Sequence, residues 1–240
     1  VTGSEATFTN HYNLTGESES VLLSGYPASL TIEYSLGVDS DSVDIIGGIS
    51  TLTSNHLVTV DSGTFGIVGR QASLLYATDY ALIVDAGVID ITGDDAALNY
   101  IQVYDITAGA ASMDVIGSPA TFSFNYNVIA DTGSVSLSGQ DVTFRFDDIF
   151  LADGGSVDVA GGETGLYRQL NITAATGTGV SINGNAASFN VVDVYPLLVD
   201  PGTVTISGDE VTFAHIFTIS SEPSTFLVNG SPATFQLGYN

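Results

Sequence analysis

The segment 131–144 reads Asp-Thr-Gly-Ser-Val-Ser-Leu-Ser-Gly-Gln-Asp-Val-Thr-Phe and contains the pattern that decides the fold. Val135 and Leu137 alternate with polar residues, which is the period of a half-buried strand. After Gly139 the apolar positions resume at Val142 and Phe144, so the alternation has shifted by one residue. We therefore predict that this glycine marks a tight turn or a corner rather than the middle of a strand.

The same glycine recurs from one end of the chain to the other. These anchor glycines are Gly3, Gly25, Gly47, Gly69, Gly93, Gly117, Gly139, Gly161, Gly184, Gly208 and Gly230. Their separations are 22, 22, 22, 24, 24, 22, 22, 23, 24 and 22 residues. A fixed period of this size is typical of repeat architectures. We predict that residues 1–240 form one array of about ten units of 22–24 residues, which begins and ends in the middle of a unit.

Four apolar columns keep their place relative to the anchor glycine, where a column is the set of residues at one position in successive units. Position −4 holds Val21, Val43, Phe65, Ile89, Met113, Val135, Val157, Val180, Val204 and Phe226. Position −2 holds Leu23, Ile45, Ile67, Ile91, Val115, Leu137, Val159, Ile182, Ile206 and Val228. Position +5 holds Phe8, Leu30, Leu52, Leu74, Leu98, Phe122, Phe144, Leu166, Phe189, Phe213 and Phe235. Position +11 holds Leu14, Leu36, Val58, Tyr80, Tyr104, Val128, Phe150, Ile172, Tyr195 and Ile219.

The columns predict an all-β protein, because no helical period of useful length is present. In a β-solenoid, each unit would be one coil of about three short strands, and equivalent residues would stack along the axis. In the alternative, each unit would be a hairpin, and the hairpins would build one or two β-sandwiches. The nearly constant unit length favours the solenoid, whose ten coils would give a rod of about 50 Å at about 4.8 Å per coil.

The composition excludes several classes of function. The chain has three Arg, no Lys and 27 acidic residues, for a formal net charge of −24. Such a surface repels phosphate backbones and anionic headgroups, so we expect neither nucleic-acid binding nor membrane insertion. Cysteine is absent, which excludes disulfides, thiol nucleophiles and cysteinyl metal sites. Hydrophobic residues make up 44% of the chain, which indicates a folded protein rather than an acidic tail.

The residues that most often carry catalysis form no shared constellation. His11, His56 and His215 lie at different positions in their units, and a lone histidine on a β surface is usually solvated or hydrogen-bonded. The carboxylate pairs 94–95 and 147–148 are adjacent in sequence, and neighbours in a strand point to opposite faces. We therefore predict that the chain is not an enzyme.

An acidic column lies eight residues before the anchor glycine. Its members are Glu17, Asp39, Asp61, Asp85, Asp131, Asp153, Asp200 and Glu222. Gly109 and Thr176 interrupt it. One interpretation is turn chemistry, since Asp favours turns and often precedes Gly. The other is a cation ladder, because carboxylates stacked about 5 Å apart repel each other and Ca²⁺ would relieve that repulsion. Apart from Ca²⁺, we expect no cofactor.

The unit quoted above, 131–144, resembles the tandem repeats of structural proteins of tailed bacteriophages. Those repeats take roughly the form Ala-x-x-Gly-x-[aromatic or Val]-x-Leu-Thr-Gly-x-[Asp]-Ala-x-Leu, and the likeness extends over the whole chain. The resemblance implies a component of the virion surface, such as a fibre, a tail or a capsid decoration protein. It implies no catalytic residues.

These observations predict a non-catalytic structural protein, located on a virion surface or outside the cell. The end segments 1–8 and 228–235 are similar in sequence, so we expect copies of the chain to associate end to end or laterally. Other virion proteins and cell-surface glycans are further candidate partners, the latter through Tyr12, Tyr34, Tyr167 and Tyr239. The alternatives are a self-assembling filament, adhesin or matrix protein of a bacterium or archaeon, and a polysaccharide-degrading β-helix. The last would need acids set off the repeat in a groove, which the regular spacing hardly allows.

Overall fold

The computed structural model describes residues 2–12, 14–16, 20–39, 42–54, 57–76, 82–100, 105–124, 127–130, 133–146, 149–153, 155–168, 171–175, 179–191, 197–200, 203–215, 219–221 and 225–237. The described strands form a 14-stranded sheet and a 10-stranded sheet. Among the described residues, no helix is long and apolar enough to cross a membrane.

The larger sheet contains the strands on either side of the anchor glycines. They are β1 (Ala6–Asn10), β3 (Val21–Gly25), β4 (Ala28–Ile32), β6 (Ser42–Ser54), β8 (Thr64–Tyr76), β10 (Val88–Tyr100), β12 (Ser112–Ile116), β13 (Ala120–Phe124), β15 (Ser134–Phe146), β17 (Ser156–Arg168), β19 (Gly179–Val191), β21 (Thr203–His215), β23 (Thr225–Asn229) and β24 (Ala233–Leu237).

The smaller sheet contains the strand that closes each coil. Its members are β2 (Leu14–Gly16), β5 (Ser35–Val38), β7 (Leu57–Val60), β9 (Leu82–Val84), β11 (Asp105–Ala108), β14 (Asn127–Ala130), β16 (Ile149–Asp153), β18 (Asn171–Ala175), β20 (Leu197–Asp200) and β22 (Ile219–Ser221). In both sheets each strand pairs with its equivalent in the previous and the next coil.

The prediction of a β-solenoid is confirmed. Every pairing among the described strands is parallel, which leaves no place for the hairpins of a sandwich. The register places Val135 beside Val157 and Phe122 beside Phe144, as the columns require. Columns −4 and −2 are buried from β6 to β21, and the rings of Phe122 and Phe144 stack with centroids 4.9 Å apart.

In a regular coil the anchor glycine lies within a strand, so the prediction that it lies outside the middle of a strand is wrong there. Gly47 and Gly69 lie inside the 13-residue strands β6 and β8 and pair with each other. The next residue in each strand, Gly48 and Arg70, drops out of the register, and pairing resumes one position later. The buried positions change phase across this bend. A regular coil therefore has one long bent strand and one short strand rather than three short ones.

The glycine is needed because consecutive coils approach each other at this point. A Cβ on Gly69 would lie 2.6 Å from the carbonyl oxygen of Gly47, and a Cβ on Gly161 would lie 2.6 Å from that of Gly139. Gly208 has the same relation to Gly184. A backbone carbonyl cannot yield as a flexible side chain can, so at these positions the glycine makes room for the one in the previous coil.

Three coils differ because proline is the second residue after the anchor glycine. Pro27, Pro119 and Pro232 follow cis peptide bonds, and the long strand is divided there into β3 and β4, β12 and β13, and β23 and β24. Proline has no N–H for the ladder, but its carbonyl still accepts. The Ala96 amide donates to the Pro119 carbonyl at 3.0 Å. The stacking of coils therefore continues through these units.

The +11 column is wrong in the three units of 24 residues. The smaller sheet pairs Val58 with Leu82, Leu82 with Ile106, and Leu197 with Ile219, so the ladder uses position +13 in these units. Tyr80, Tyr104 and Tyr195 lie outside the described residues. The two extra residues enter before the short strand, and the strand then resumes the register of its neighbours.

Candidate cation-binding column

The acidic column lies at the corner where the chain leaves the smaller sheet. Asp39 follows β5, Asp61 follows β7 and Asp85 follows β9. The Asp61 amide donates to the Val38 carbonyl at 2.9 Å, and the Asp85 amide donates to the Val60 carbonyl at the same distance. These three acids are therefore stacked in consecutive coils, as the sequence predicted for a solenoid.

The corner itself is held by hydrogen bonds between coils. The residue after the acid donates its amide to the acid of the previous coil, from Ser62 to the Asp39 carbonyl at 2.8 Å and from Ala86 to the Asp61 carbonyl at 2.6 Å. The Ser62 hydroxyl also donates to the Asp39 carbonyl, at 2.6 Å. The backbone of the acidic residue thus has a structural role, and its carboxyl group is left for other interactions.

The carboxyl groups of Asp39, Asp61 and Asp85 interact with one another at the surface. A hydrogen bond to the Asp39 carboxylate raises the pKa of Asp61, with smaller contributions from burial and from the negative charges of Asp39 and Asp85. A hydrogen bond of this kind favours the protonated form of Asp61. All three residues are exposed, so the column is a surface row of acids in which the protonated form of Asp61 is more favoured than in an isolated carboxyl group.

The break in the column at Gly109 has a steric cause. A Cβ on Gly109 would lie 2.8 Å from Asp85 Oδ1 and 2.9 Å from the Asp85 carbonyl oxygen. The Asp85 carboxylate therefore occupies the space that a side chain at position 109 would need. The Gly109 amide still donates to the Val84 carbonyl at 2.7 Å, so the backbone ladder continues where the acids stop.

The structure gives less information on the rest of the column. Asp153 and Asp200 are the last residues of β16 and β20, and their side chains are not described. Glu17, Asp131 and Glu222 lie outside the described residues. Within the described part of the chain, no group of three or more His, Asp or Glu residues is arranged to hold a metal ion. Cation binding by this column stays a prediction.

A second acidic ladder, which the sequence analysis missed, lies on the outer face of the larger sheet. Its central pair is Asp90 and Asp114, which face each other in β10 and β12. Burial and the charge of Asp90 raise the pKa of Asp114, while hydrogen bonds from Ser136 and Ser112 lower it. Equivalent acids recur as Asp44 and Asp158, each accepting a hydrogen bond from the serine two residues before it. The Ser-x-Asp spacing is the signal that could have revealed this ladder.

The charged pairs in the described residues are exposed. His11 Nδ1 lies 2.8 Å from Glu33 Oε2, which agrees with a hydrogen-bonded surface histidine. Arg70 Nε lies 3.6 Å from Asp94 Oδ2. His56 and the pair 147–148 lie outside the described residues, and the His215 side chain is not described.

Of the four tyrosines predicted to contact glycans, two have described side chains and both are exposed, Tyr12 at 77% and Tyr34 at 53%. Tyr239 lies outside the described residues, and the side chain of Tyr167 is not described. Tyr26, which the sequence analysis did not single out, is 62% exposed, and its ring covers Gly48. It borders a shallow cleft of about 360 Å³ that also includes Arg70 and Asp94.

Comparison with protein-family models, with curated proteins and with solved structures finds no match to this chain. The fold and the acidic columns therefore stand on the residues of the chain itself. The resemblance to bacteriophage repeats rests on the unit 131–144 and its recurrence, and it enters the functional argument as a hypothesis.

Proposed function

We propose that this chain is a non-catalytic structural protein, a surface-exposed β-solenoid rod of a phage virion that belongs to a fibre, a tail or a capsid decoration. The observation that carries the proposal is the unbroken succession of parallel strands from β1 to β23, with columns −4 and −2 filling the core from β6 to β21. Each coil contacts its neighbours alone, so the architecture extends in one dimension, as a fibre requires. The resemblance of the repeat supplies the virion as the setting.

The N-terminal end of the described solenoid supports association along the axis. Phe8 belongs to a core column but is 38% exposed in the first strand of the sheet. A cavity of about 320 Å³ opens beside it, lined by apolar residues that include Val21, Leu30 and Val43. Another coil placed on β1 would fill this space and cover the core, whether it comes from the same polypeptide, from another copy or from a neighbouring virion protein.

Core columns are also partly exposed at the C-terminal end of the described solenoid. Phe226 and Val228 in β23 occupy core columns, yet both are only half-buried. The last strands of a parallel sheet also present backbone groups that pair readily with another strand. The core columns are exposed at both ends of the described residues, and a further coil from the same polypeptide or from another copy would continue them.

The surface supports a location outside the cell or on a virion. A formal charge of −24 keeps such rods hydrated and soluble. The acidic rows at Asp61 and Asp114 are part of this charge and lie on the outside of the coil. A rod of this kind acts by its shape and stiffness rather than by chemistry at one site.

A self-assembling extracellular filament, adhesin or matrix protein is the second candidate, and the open ends favour it equally. The two candidates differ in partner, since the filament needs only copies of the chain. A polysaccharide-degrading β-helix has the weakest support, because catalysis there needs acids placed off the repeat. The acids at Asp39, Asp61 and Asp85 follow the repeat instead.

Electron microscopy of the purified chain, with and without millimolar Ca²⁺, tests the proposal. Filaments with an axial repeat of about 50 Å would support end-to-end stacking. Discrete particles in both conditions would exclude self-polymerisation and leave a component that needs a virion partner. Filaments formed only with Ca²⁺ would assign a function to the acidic column.

A matched pair of variants separates axial stacking from other association. Val228→Lys places a charge in the core column of β23, which the next copy would have to bury, whereas Thr225→Lys adds the same charge to an exposed position of that strand. We expect Val228→Lys to prevent filaments and Thr225→Lys to preserve them, with both variants folded by circular dichroism. Filaments of normal length from Val228→Lys would contradict end-to-end stacking.

A further inference from the structure

Acidic residues lie on the outer face of the larger sheet on both sides of the bend at the anchor glycines. Before the bend is the acidic ladder of Asp44, Asp90, Asp114 and Asp158. After the bend, the column two residues after the anchor glycine carries the exposed acids Asp95, Asp141, Glu163 and Glu210. The next two columns in the same alternation begin at Thr7 and Thr9 in β1 and end at positions 234 and 236 in β24. We call these two columns the acid-free face.

The acid-free face has no Asp or Glu at any of its twenty-two positions, two in each of eleven described strands. Thirteen of the twenty-two residues are Ser or Thr, and Arg145 is the one charged residue among them. The chain as a whole has 27 acidic residues and a net charge of −24. Depletion of charge is the compositional signal of the centre of a protein interface.

The residues of this face alternate along each strand with those of the core, so the sheet fixes the spacing of their side chains. In β4 and β6, Ser29, Thr31, Thr51 and Thr53 alternate with buried residues and are themselves half-buried. Eleven strands about 4.8 Å apart, with about five residues of each strand, give a surface of about 50 by 17 Å, or about 850 Å². This is about the area that each partner contributes to a standard stable interface, roughly 800 Å².

We propose that the acid-free face is a lateral docking surface for a second copy of this chain. A second copy carries the same charge, so any pairing that brings the acidic ladders together is opposed by like-charge repulsion. Pairing through the acid-free face keeps the ladder of Asp90 and Asp114 outside the contact and leaves the acids two residues after the anchor glycine at its rim. A second copy also presents the same surface with the same coil spacing, which suits a two-fold interface made of equivalent patches.

This inference goes beyond the proposed function, because it concerns association side by side and holds whether or not the coils stack end to end. Salt gives a first check. Screening shortens the range of repulsion between exposed charges to about 10 Å at 0.1 M ionic strength. We therefore expect lateral pairing to strengthen as salt is added, without any change in the surface that is used.

Two matched double variants test the proposal in sedimentation experiments over a range of protein concentrations. Ser73→Glu with Thr143→Glu places two charges on the acid-free face, in β8 and β15. Thr64→Glu with Ser134→Glu places two charges on the other half of the same two strands. All four positions face outward and are exposed or half-buried, so both proteins are expected to fold.

The expected result is a wild-type dimer of twice 24.8 kDa, weakened about 100-fold or more by the first pair of substitutions and less than about threefold by the second. Equal effects of the two pairs, or a monomeric wild-type chain at high micromolar concentration, would overturn the proposal. A chain that stays monomeric and pellets with cellulose would also overturn the proposal. That result would indicate that the face binds a neutral polysaccharide.

Failure here is distinguishable from failure of axial assembly. If filaments form, lateral pairing is read from their width and axial stacking from their length. The substitutions at Ser73 and Thr143 should give filaments of single width and normal length, whereas Val228→Lys should give dimers that do not elongate.

Discussion

Gly161 and Asp61 each belong to a column that recurs once per coil, but the two columns have different physical origins. A Cβ on Gly161 would lie 2.6 Å from the carbonyl oxygen of the anchor glycine in the previous coil, so no other residue fits without a shift of backbone. Asp61 is exposed, and its neighbours raise its pKa rather than stabilise its charge. The glycine column has no exception along the chain, whereas the acidic column is interrupted at Gly109. Recurrence alone therefore does not identify a site, and the contacts of each column decide its role.

The substitution that we expect to destabilise the protein most lies in the core, next to the glycine column. Phe144→Ala removes a fully buried ring that stacks on Phe122, and we expect it to lower the free energy of unfolding by about 3–5 kcal/mol. Chemical denaturation followed by circular dichroism measures the change. Leu227→Ala, at a position that is 48% exposed, is the control and should cost less than about 0.5 kcal/mol. Similar losses from both variants would mean that the core is not the main source of stability.

The glycine column itself is tested by a pair of alanine substitutions. Gly161→Ala places a methyl group against the Gly139 carbonyl and should lower the free energy of unfolding by about 1–3 kcal/mol. Gly179→Ala is the control, because its Cβ would lie 3.6 Å from the Thr203 carbonyl oxygen, an ordinary contact. We expect the control to be neutral or to stabilise by about 0.4–1 kcal/mol. If the two substitutions have the same effect, the close approach of coils does not explain the column.

A substitution inside the core is expected to stabilise the protein by a smaller amount. The Thr164 hydroxyl is buried and has no hydrogen-bond partner among the described residues, and its neighbours in the ladder are Val142 and Ala187. Thr164→Val keeps the shape and removes the unpaired polar group, so it should raise the free energy of unfolding by about 1 kcal/mol. Denaturation at neutral pH measures it. A loss of stability would show that the hydroxyl has a partner in solution.

The smallest change in stability is expected from a substitution in the acidic column. The folded state raises the pKa of Asp61 above its ordinary value of 3.8, so this group favours folding below that pH and loses its contribution as pH rises through the higher, folded pKa. Asp61→Asn should therefore be neutral or slightly stabilising at pH 7 and should reduce the dependence of stability on pH. Thermal unfolding between pH 3 and 7 checks this.

The effect of Ca²⁺ on the melting temperature provides a second test of the same variant. If Ca²⁺ binds at the column, it should raise the melting temperature of the wild type more than that of Asp61→Asn. Equal shifts in the two proteins would contradict a cation ladder at this corner. A destabilised Asp61→Asn at pH 7 would contradict the electrostatic account as well.

Much of the fold could be predicted because packing repeats in the sequence. Val135 and Val157 occupy one ladder, as their common distance from the glycine indicates. The bend could not be predicted, because a strand that ends and a strand that bends both shift the alternation by one residue. The smaller sheet was misassigned in part, since Tyr80 and Leu82 are both apolar enough for a core column. Only the register with Val58 decides between them.

The candidate site was predictable to a similar degree. The stacking of Asp39, Asp61 and Asp85 follows from the period and is present in the structure. The raised pKa of Asp61 does not follow from the period, because it depends on side-chain conformations at one corner. The ladder of Asp90 and Asp114 was missed because its acids alternate with Ser and Gly in other coils, and only the register shows that the two acids face each other.

The contact between an anchor glycine and the anchor-glycine carbonyl of the previous coil, as at Gly69, Gly161 and Gly208, has a consequence for evolution. The contact joins equivalent positions of consecutive coils, so an in-frame duplication or deletion of one unit of 22–24 residues re-creates it at the new junction. A shift of a single residue would instead place a side chain against a carbonyl and turn the core columns outward. Recombination between units can therefore set the length of the solenoid in whole coils, without selection of a new core.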